Sequence, residues 1–209
     1  MKPQYLKDYH PNLLSWNEFE NIINIRPLMT QEKVHILSPE AHLVWENDVW
    51  TTNPGCYPPT VLREAIQKYV CWFSEMSRTT ETINNLAYKI EKEFKSAVDA
   101  HIYSCIDIDQ KHPFGIHFDD NDNIIVQCEG KTHWKIWDKV DPNQYNENME
   151  MDTEPIIDSI MEPGDAVQIP AHYPHLATST TSRLSVSFPM PEPTANWGGI
   201  YQEREWVRL

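Results

Sequence analysis

Basic charge is what this sequence has least to spare. It carries 17 Lys and Arg against 31 Asp and Glu, a formal net charge of −14. A phosphate-backbone binder needs a basic patch, so this balance speaks against a nucleic-acid partner. An acidic surface can instead attract a basic protein or peptide. The four cysteines, Cys56, Cys71, Cys105 and Cys128, form no C-x-x-C pair. That removes support for a zinc knuckle or a dithiol redox motif and leaves buried, reduced thiols in a cytosolic protein as the expectation. No apolar run approaches the ~18 residues a membrane helix needs, and "MKPQYLKDYHPNLLSW" lacks the apolar core of a secretion signal. The reading is of a soluble, cytoplasmic chain with no membrane partner.

Apolar material is present in quantity. The chain has 209 residues, 40% of them hydrophobic, with 8 Trp and 9 Tyr. That suffices for one packed domain and argues against general disorder. The first half reads as helices mixed with short strands. Ser15-x-x-Glu18 is a capping box ahead of Trp16, Phe19, Ile22 and Ile23 at helical spacing. "KVHIL" (33–37) and "AHLVW" (41–45) read as strands around a Ser38-Pro39 turn, followed by a Pro/Gly-rich loop at 51–60. Thr60 is then expected to cap a helix carrying Leu62, Ile66, Tyr69, Val70 and Phe73. A second helix is expected from Thr80 to Val98, with Ile83, Leu86, Ile90, Phe94 and Ala97 in its stripe.

After Ala100 the texture changes. "HIYSCIDI", "GIHF", "NIIVQC", "THWKIW", "IIDSIM", "AVQIP", "HLATS" and "RLSVSFPM" follow one another with polar, Gly or Pro punctuation. Short β-like runs at this density predict a small antiparallel barrel or sandwich. The long polar insertion at 141–155 is expected to be a surface loop or lid. The resulting division is a helical and short-strand region at 1–99, a catalytic barrel at 100–190 and a tail at 191–209, together one structural domain.

Within "HPFGIHFDDNDNIIVQCEGK" (112–131), His117 and Asp119 stand two apart, so on an extended strand they point the same way. With 9 His in the chain, chance alone supplies about 0.6 His-x-Asp triplets, so the pair needs a partner. "MEPGDAVQIPAHYPHLATS" (161–179) supplies one. Pro163-Gly164-Asp165 launches a strand ending at Pro170, and the return through Tyr173-Pro174 brings His175 to the barrel mouth. Two imidazoles and a carboxylate on one face of an octahedral ion leave three positions open, as non-haem Fe(II) oxygenation requires. A zinc site with one open water position uses the same ligand types.

The composite of "GIHFDDNDNIIVQCEGKTHWKIW" and "MEPGDAVQIPAHYPHLATSTTSRLSVSF" resembles the JmjC/cupin-type 2-oxoglutarate oxygenases over roughly residues 100–190. Its nearest groups are the ribosomal oxygenases and the asparaginyl hydroxylase that acts on the hypoxia-inducible factor. The resemblance implies a double-stranded β-helix with N-terminal helices. It also implies Fe(II), 2-oxoglutarate and O₂, and hydroxylation of a C–H bond, with a protein side chain as substrate and a small molecule as the other option. His117, Asp119 and His175 match the iron ligands and so carry the catalysis, Asn123 matches a position that helps orient 2-oxoglutarate, and Tyr103 matches a tyrosine that hydrogen-bonds it.

One position departs. Where relatives keep a Lys or Arg for the distal carboxylate, thirteen residues after the metal aspartate, this chain has Thr132, preceded by Lys131. Adjacent strand residues face opposite ways, so Arg183 on the last strand is the expected replacement. A metal-binding cupin without oxygenase activity (an isomerase-like enzyme or a binding module) and a degenerate pseudo-oxygenase are the competing readings. Trp134 is expected in the barrel core and His172 in a positive-φ turn. His112 and His133 are expected at loops or strand edges. Asp120 and Asp122 are expected to be solvated, or else to orient a metal histidine.

Overall fold

The computed structural model describes residues 2–30, 32–37, 55–106, 114–141 and 149–191. The expected strand at 41–45, the turn before it, His112, residues 142–148 of the 141–155 insertion and nearly all of the 191–209 tail lie outside the described residues.

Helix α1 (Trp16–Ile23) begins as its sequence dictates. Ser15 accepts from the Glu18 main-chain N–H, and the Glu18 side chain returns to the Ser15 main-chain N–H at 2.8 Å. Such a reciprocal cap satisfies two otherwise orphaned donors, and its loss costs about 1 kcal/mol. Helix α2 (Pro59–Lys68) starts from Pro58 rather than Thr60, which falls in its first turn. Proline at the first helical position wastes no hydrogen bond, because that N–H has no partner in any case. The expected stripe through Val70 and Phe73 is corrected. The helix stops at Lys68, and Val70–Phe73 forms strand β3, where a β-branched and aromatic run finds partners on both sides. Helix α3 (Glu81–Phe94) begins beside Thr80 as expected, and the Thr80 side chain caps it by accepting from the Ile83 main-chain N–H. It ends at Lys95, in the left-handed region at φ 53°, short of Val98.

The strands are β1 (Gln4–Leu6), β2 (Val34–Leu37), β3, β4 (His101–Cys105), β5 (Asp122–Ile136), β6 (Ile157–Met161), β7 (Ala166–Ile169) and β8 (His175–Met190). They form one antiparallel sheet in the order β1-β7-β5-β8-β4-β3-β2, with β6 also on β5. The mainly β, cupin-like architecture expected from the sequence is what the chain adopts. Several short runs merge, however. "NIIVQC" and "THWKIW" are one 15-residue strand, and "HLATS" and "RLSVSFPM" are one 16-residue strand. "GIHF" contributes only a bridge between His117 and His175.

Gly130 sits in mid-strand on β5, between a β5 bulge at Cys128 and a β8 bulge at Thr180–Ser182, rather than at a chain reversal. Register slips between Gln127 and Glu129 and again between Gly130 and Thr132, and Gly130 takes φ +72°. The slips change which residues face inward. Asn123 and Ile125 point to the concave face before the two bulges, and Trp134 points there after them. Without them the strict two-residue alternation of a strand would turn one of these sets outward.

Two cores result. On the convex side Ile124, Val126, Leu184, Val186 and Phe188 pack against Phe19, Ile22, Leu62, Ile66, Ile83 and Ile90 of the three helices. Inside the barrel a smaller cluster joins Ile125, Trp134, Ile136, Met161, Val167 and Ile169. Buried Asp165, from the Pro-Gly-Asp turn, ties the N-terminal strand to β7. It accepts from the Tyr5 hydroxyl, the Lys7 ammonium and the Asp8 main-chain N–H. No described helix is long and apolar enough to cross a membrane.

Candidate metal centre and cosubstrate pocket

His117 and His175 form an isolated antiparallel bridge, with N–H to carbonyl distances of 3.3 and 2.7 Å in the two directions. Their rings lie 4.4 Å apart, centroid to centroid. The chain around them is pinned from both ends of the turn. Asp122 accepts from the Ala171 main-chain N–H at 2.8 Å, and the Asp119 carbonyl accepts from the His172 N–H at 2.9 Å. Asp122 therefore braces the return that carries His175, and the expectation that it is merely solvated is corrected. Asp120 is exposed, with His172 Nδ1 3.5 Å from its carboxylate. His172 takes φ +67°, the positive-φ turn expected of it.

One ligand atom each from His117, Asp119 and His175 falls within 4.8 Å of the other two. His117 Nδ1 is 3.2 Å from the Gly115 carbonyl and His175 Nδ1 is 3.0 Å from the Tyr173 carbonyl. Each carbonyl can only accept, so both Nδ1 atoms carry the proton and both Nε2 lone pairs are free. His175 Nε2 lies 3.8 Å from Asp119 Oδ2. Burial holds the His175 imidazole neutral, well below the ordinary histidine range, with Asp119 opposing that effect. A neutral imidazole is the form that ligates a metal.

The three side chains open onto a cavity of about 300 Å³. Arg183, 5% exposed, lines it from β8. Its Nε donates to Ser185 Oγ at 3.0 Å, and its guanidinium carbon sits 5.3 Å from the Tyr103 ring centre and 5.7 Å from that of Trp134. No carboxylate pairs with it among the described residues. Burial lowers its pKa to about 10, opposed by Tyr103 and Cys105. Burial also pushes the Tyr103 phenol well above its ordinary value, with Asp119 adding to the effect and Arg183 opposing it.

Asn123 lines the same cavity, and its Oδ1 accepts from Ser187 Oγ at 2.8 Å. That bond turns the amide so that its N–H groups are left for another partner. Thr132 is fully buried behind this wall on the Trp134 face of β5, opposite Ser179 on β8. Among the described residues neither hydroxyl has a hydrogen-bond partner, and neither does Trp134 Nε1. Lys131 does not reach the cavity. Its ammonium ion-pairs with Glu162 at 2.6 Å on the outer surface, because strand alternation sends it opposite to Thr132.

The structure thus brings together His117, Asp119, His175, Tyr103, Asn123 and Arg183, keeps Thr132 behind them and excludes Lys131. The sequence reading missed Trp72, His101 and Phe114, which also line the cavity. Trp72 was hidden by the mistaken extension of α2. His101 was legible as the residue two before Tyr103, and so on the same face of a strand.

A β-helical barrel with two histidines and an aspartate converging at its mouth defines a cupin-like protein with a candidate metal centre. The sequence profile described as the JmjC domain matches residues 76–196, and the chain belongs to that family. It is 22% identical over 168 residues to the bifunctional lysine-specific demethylase and histidyl-hydroxylase NO66 of Drosophila grimshawi, covering 76% of this chain and 22% of that one. It is 27% identical over 213 residues to ribosomal oxygenase 1 of Danio rerio, covering 92% of this chain and 36% of the relative. The chain therefore spans about a fifth to a third of the length of these relatives. Among solved structures it matches the Escherichia coli ribosomal oxygenase YcfD with a TM-score of 0.62 at 17% identity, over 92% of this chain and 49% of that one. A YcfD structure in complex with cobalt and 2-oxoglutarate matches at a TM-score of 0.59 and 16% identity, covering 100% and 57% of the two chains.

Proposed function

We propose that this protein is an Fe(II)- and 2-oxoglutarate-dependent dioxygenase that hydroxylates a C–H bond, with a protein side chain as substrate. One juxtaposition carries the reading: two histidines with freed Nε2 atoms and Asp119 share a cavity with a buried arginine that has no carboxylate partner among the described residues. An unpaired buried cation is costly, so a site that keeps one is built to receive an anion. The residues fit the group that the family implies. The donor set suits a facial iron site, and Arg183 suits the far carboxylate of a 2-oxoacid through bidentate hydrogen bonds.

When bound there, iron with 2-oxoglutarate and O₂ would supply oxidative decarboxylation to succinate and CO₂, coupled to conversion of R–H to R–OH. The chain's own residues do the rest. Main-chain carbonyls hold the two imidazoles in one tautomer, Arg183 and Tyr103 hold the cosubstrate's distal end, and Asn123 presents its amide N–H groups to it. Trp134 and the inner barrel cluster keep water from that end. Residues 100–190 act as the catalytic barrel, to which the described part of 1–99 adds the helices and strands β1–β3.

The names of NO66 and the ribosomal oxygenases support a protein substrate, and the net charge of −14 favours a basic one. The reading includes a cytoplasmic setting in which the cysteines stay reduced. The deciding experiment measures succinate formed from 2-oxoglutarate with Fe(II), without it, and with a chelator. Iron-dependent turnover is expected. Intact metal binding with no turnover, and no visible charge-transfer band from Fe(II) and 2-oxoglutarate under anaerobic conditions, would favour a metal-binding cupin without oxygenase activity.

A further inference from the structure

On the wall formed by β3 and β4, Tyr103 serves the cosubstrate, but Trp72 and His101 have no part in holding metal or cosubstrate. The ring centres of Trp72 and His101 lie 5.2 Å apart, and both line the cavity together with Phe114. Trp72 is held from two sides. Cross-strand register places His35 next to it, stacked at 4.6 Å, and Tyr103 on the other side, parallel at 6.3 Å. His101 is held by a carboxylate, its Nε2 lying 3.2 Å from Asp99 Oδ2. The same oxygen accepts the Glu75 main-chain N–H at 2.9 Å. Burial raises the Asp99 pKa, but the bonds from His101 and the Ala100 and Glu75 main chain bring it below its ordinary value. An ionised carboxylate can only accept, so Nε2 carries the proton facing Asp99, and in the neutral ring Nδ1 is then the lone-pair acceptor. A histidine oriented in this way at a cavity wall is pre-organised for one ligand geometry.

We propose that His101 is the specificity-determining contact for the substrate side chain. Its Nδ1 accepts a hydrogen bond from a planar, N–H-bearing group (an imidazole, carboxamide or guanidinium) whose flat face packs between Trp72 and Phe114. Asp99 is the positioning residue. This inference rests on the hydroxylase reading above. An aliphatic side chain would meet the aromatic walls but leave the His101 acceptor unpaired on burial. A site built for a hydrogen bond rejects analogues lacking it far more strongly than an apolar pocket rejects one methylene.

The test uses the full chain labelled with ¹⁵N-histidine and loaded with Zn(II) and 2-oxoglutarate, so that no turnover occurs. Before any peptide is added, His101 is expected in the Nε2–H tautomer. Nine-residue peptides differing only in a central His, Asn, Arg, Leu or Met are then titrated. The three N–H-bearing residues are expected to shift the His101 Nδ1 resonance, with at least tenfold tighter binding than Leu or Met. His101→Gln, which keeps an acceptor, should retain part of that preference, and His101→Leu should abolish it. An Nδ1–H tautomer, a uniform response to all five peptides (none included) or an unchanged preference in His101→Leu would overturn the proposal. If His101→Leu does not fold, the wild-type titration still decides. The anaerobic charge-transfer band of wild-type protein with Fe(II) and 2-oxoglutarate separates the two failures. Without the band both readings fall, whereas the band with a uniform peptide response sinks only the role of His101.

Discussion

His117 and His175, 58 positions apart in the chain, exchange main-chain hydrogen bonds across a single bridge while each ring Nδ1 is tied to a carbonyl two residues before it. Backbone and tautomer are thus set by the same short segments, and the two Nε2 atoms are pre-positioned before any ion arrives. In the proposed iron site, such pre-organisation would lower the ordering entropy that metal binding costs.

Removing one ligand tests this directly. His175→Ala is expected to weaken Co(II) binding, measured calorimetrically, by a hundredfold or more. That exceeds the 10–100-fold typical of losing only an outer partner of a ligand. Unchanged Co(II) affinity in a folded variant would remove His175 from the ligand set.

Gly130 shows where the sequence misled. A glycine between two β-like runs is the ordinary mark of a hairpin, and nothing local distinguishes it from a glycine between bulges in the middle of one long strand. The difference lies in pairing with β8, where Lys131 alone faces the segment between Ser179 and Arg183. The consequence is specific: a Cβ at Gly130 would lie 1.5 Å from the Ser182 carbonyl oxygen, on a backbone at φ +72°. Gly130→Ala is expected to destabilise the fold by more than about 2 kcal/mol, read from the urea midpoint. A change below 0.5 kcal/mol would contradict this placement.

Legibility followed the range of the interaction. The Ser15 cap, the start of α3 near Thr80, the strand character after Ala100 and the convergence of His117, Asp119 and His175 rest on patterns within a few residues or on one strong composite. The wall of Trp72 and His101 depends on β2, β3 and β4 lying side by side, and a helical reading of Val70–Phe73 broke that chain of inference. Asp122 looked like one more acid in an acidic loop. Its bond to Ala171 joins segments 49 residues apart, which no local pattern encodes.

Tyr5 and Asp165 give a pH-dependent expectation. Burial raises the Asp165 pKa, but hydrogen bonds from Tyr5, the Glu162 and Asp8 main-chain N–H groups and Lys7 leave it below the ordinary carboxylate value. A carboxylate depressed on folding stabilises the native state above its unfolded pKa of about 4, and that stability is lost as pH falls through the folded value. Tyr5→Phe removes one donor and should cost about 1–2 kcal/mol at pH 7. Thermal melts should show the gap between wild type and Tyr5→Phe narrowing below about pH 4. A gap independent of pH would place the loss in packing rather than in the ionised carboxylate.

Arg183 and Lys131 are the two cations that could compensate for Thr132, and the structure separates them. Lys131 is half-exposed and spends its charge on Glu162 in a solvent-screened surface pair. Arg183 is buried between Tyr103 and Trp134, facing the cavity with no carboxylate partner described. Losing one member of a buried charge pair costs about 3–5 kcal/mol, which is a hundredfold or more in affinity. Arg183→Ala should therefore weaken 2-oxoglutarate binding by about that factor, read from titration of the anaerobic Fe(II) charge-transfer band, while Co(II) affinity stays within about threefold of wild type. Arg183→Lys should recover only part of it, because an ammonium cannot reproduce the bidentate fork. Lys131→Ala should leave 2-oxoglutarate affinity unchanged. If Lys131→Ala weakens it and Arg183→Ala does not, β5 must change register when the cosubstrate binds, and the outward placement of Lys131 would describe only the empty pocket.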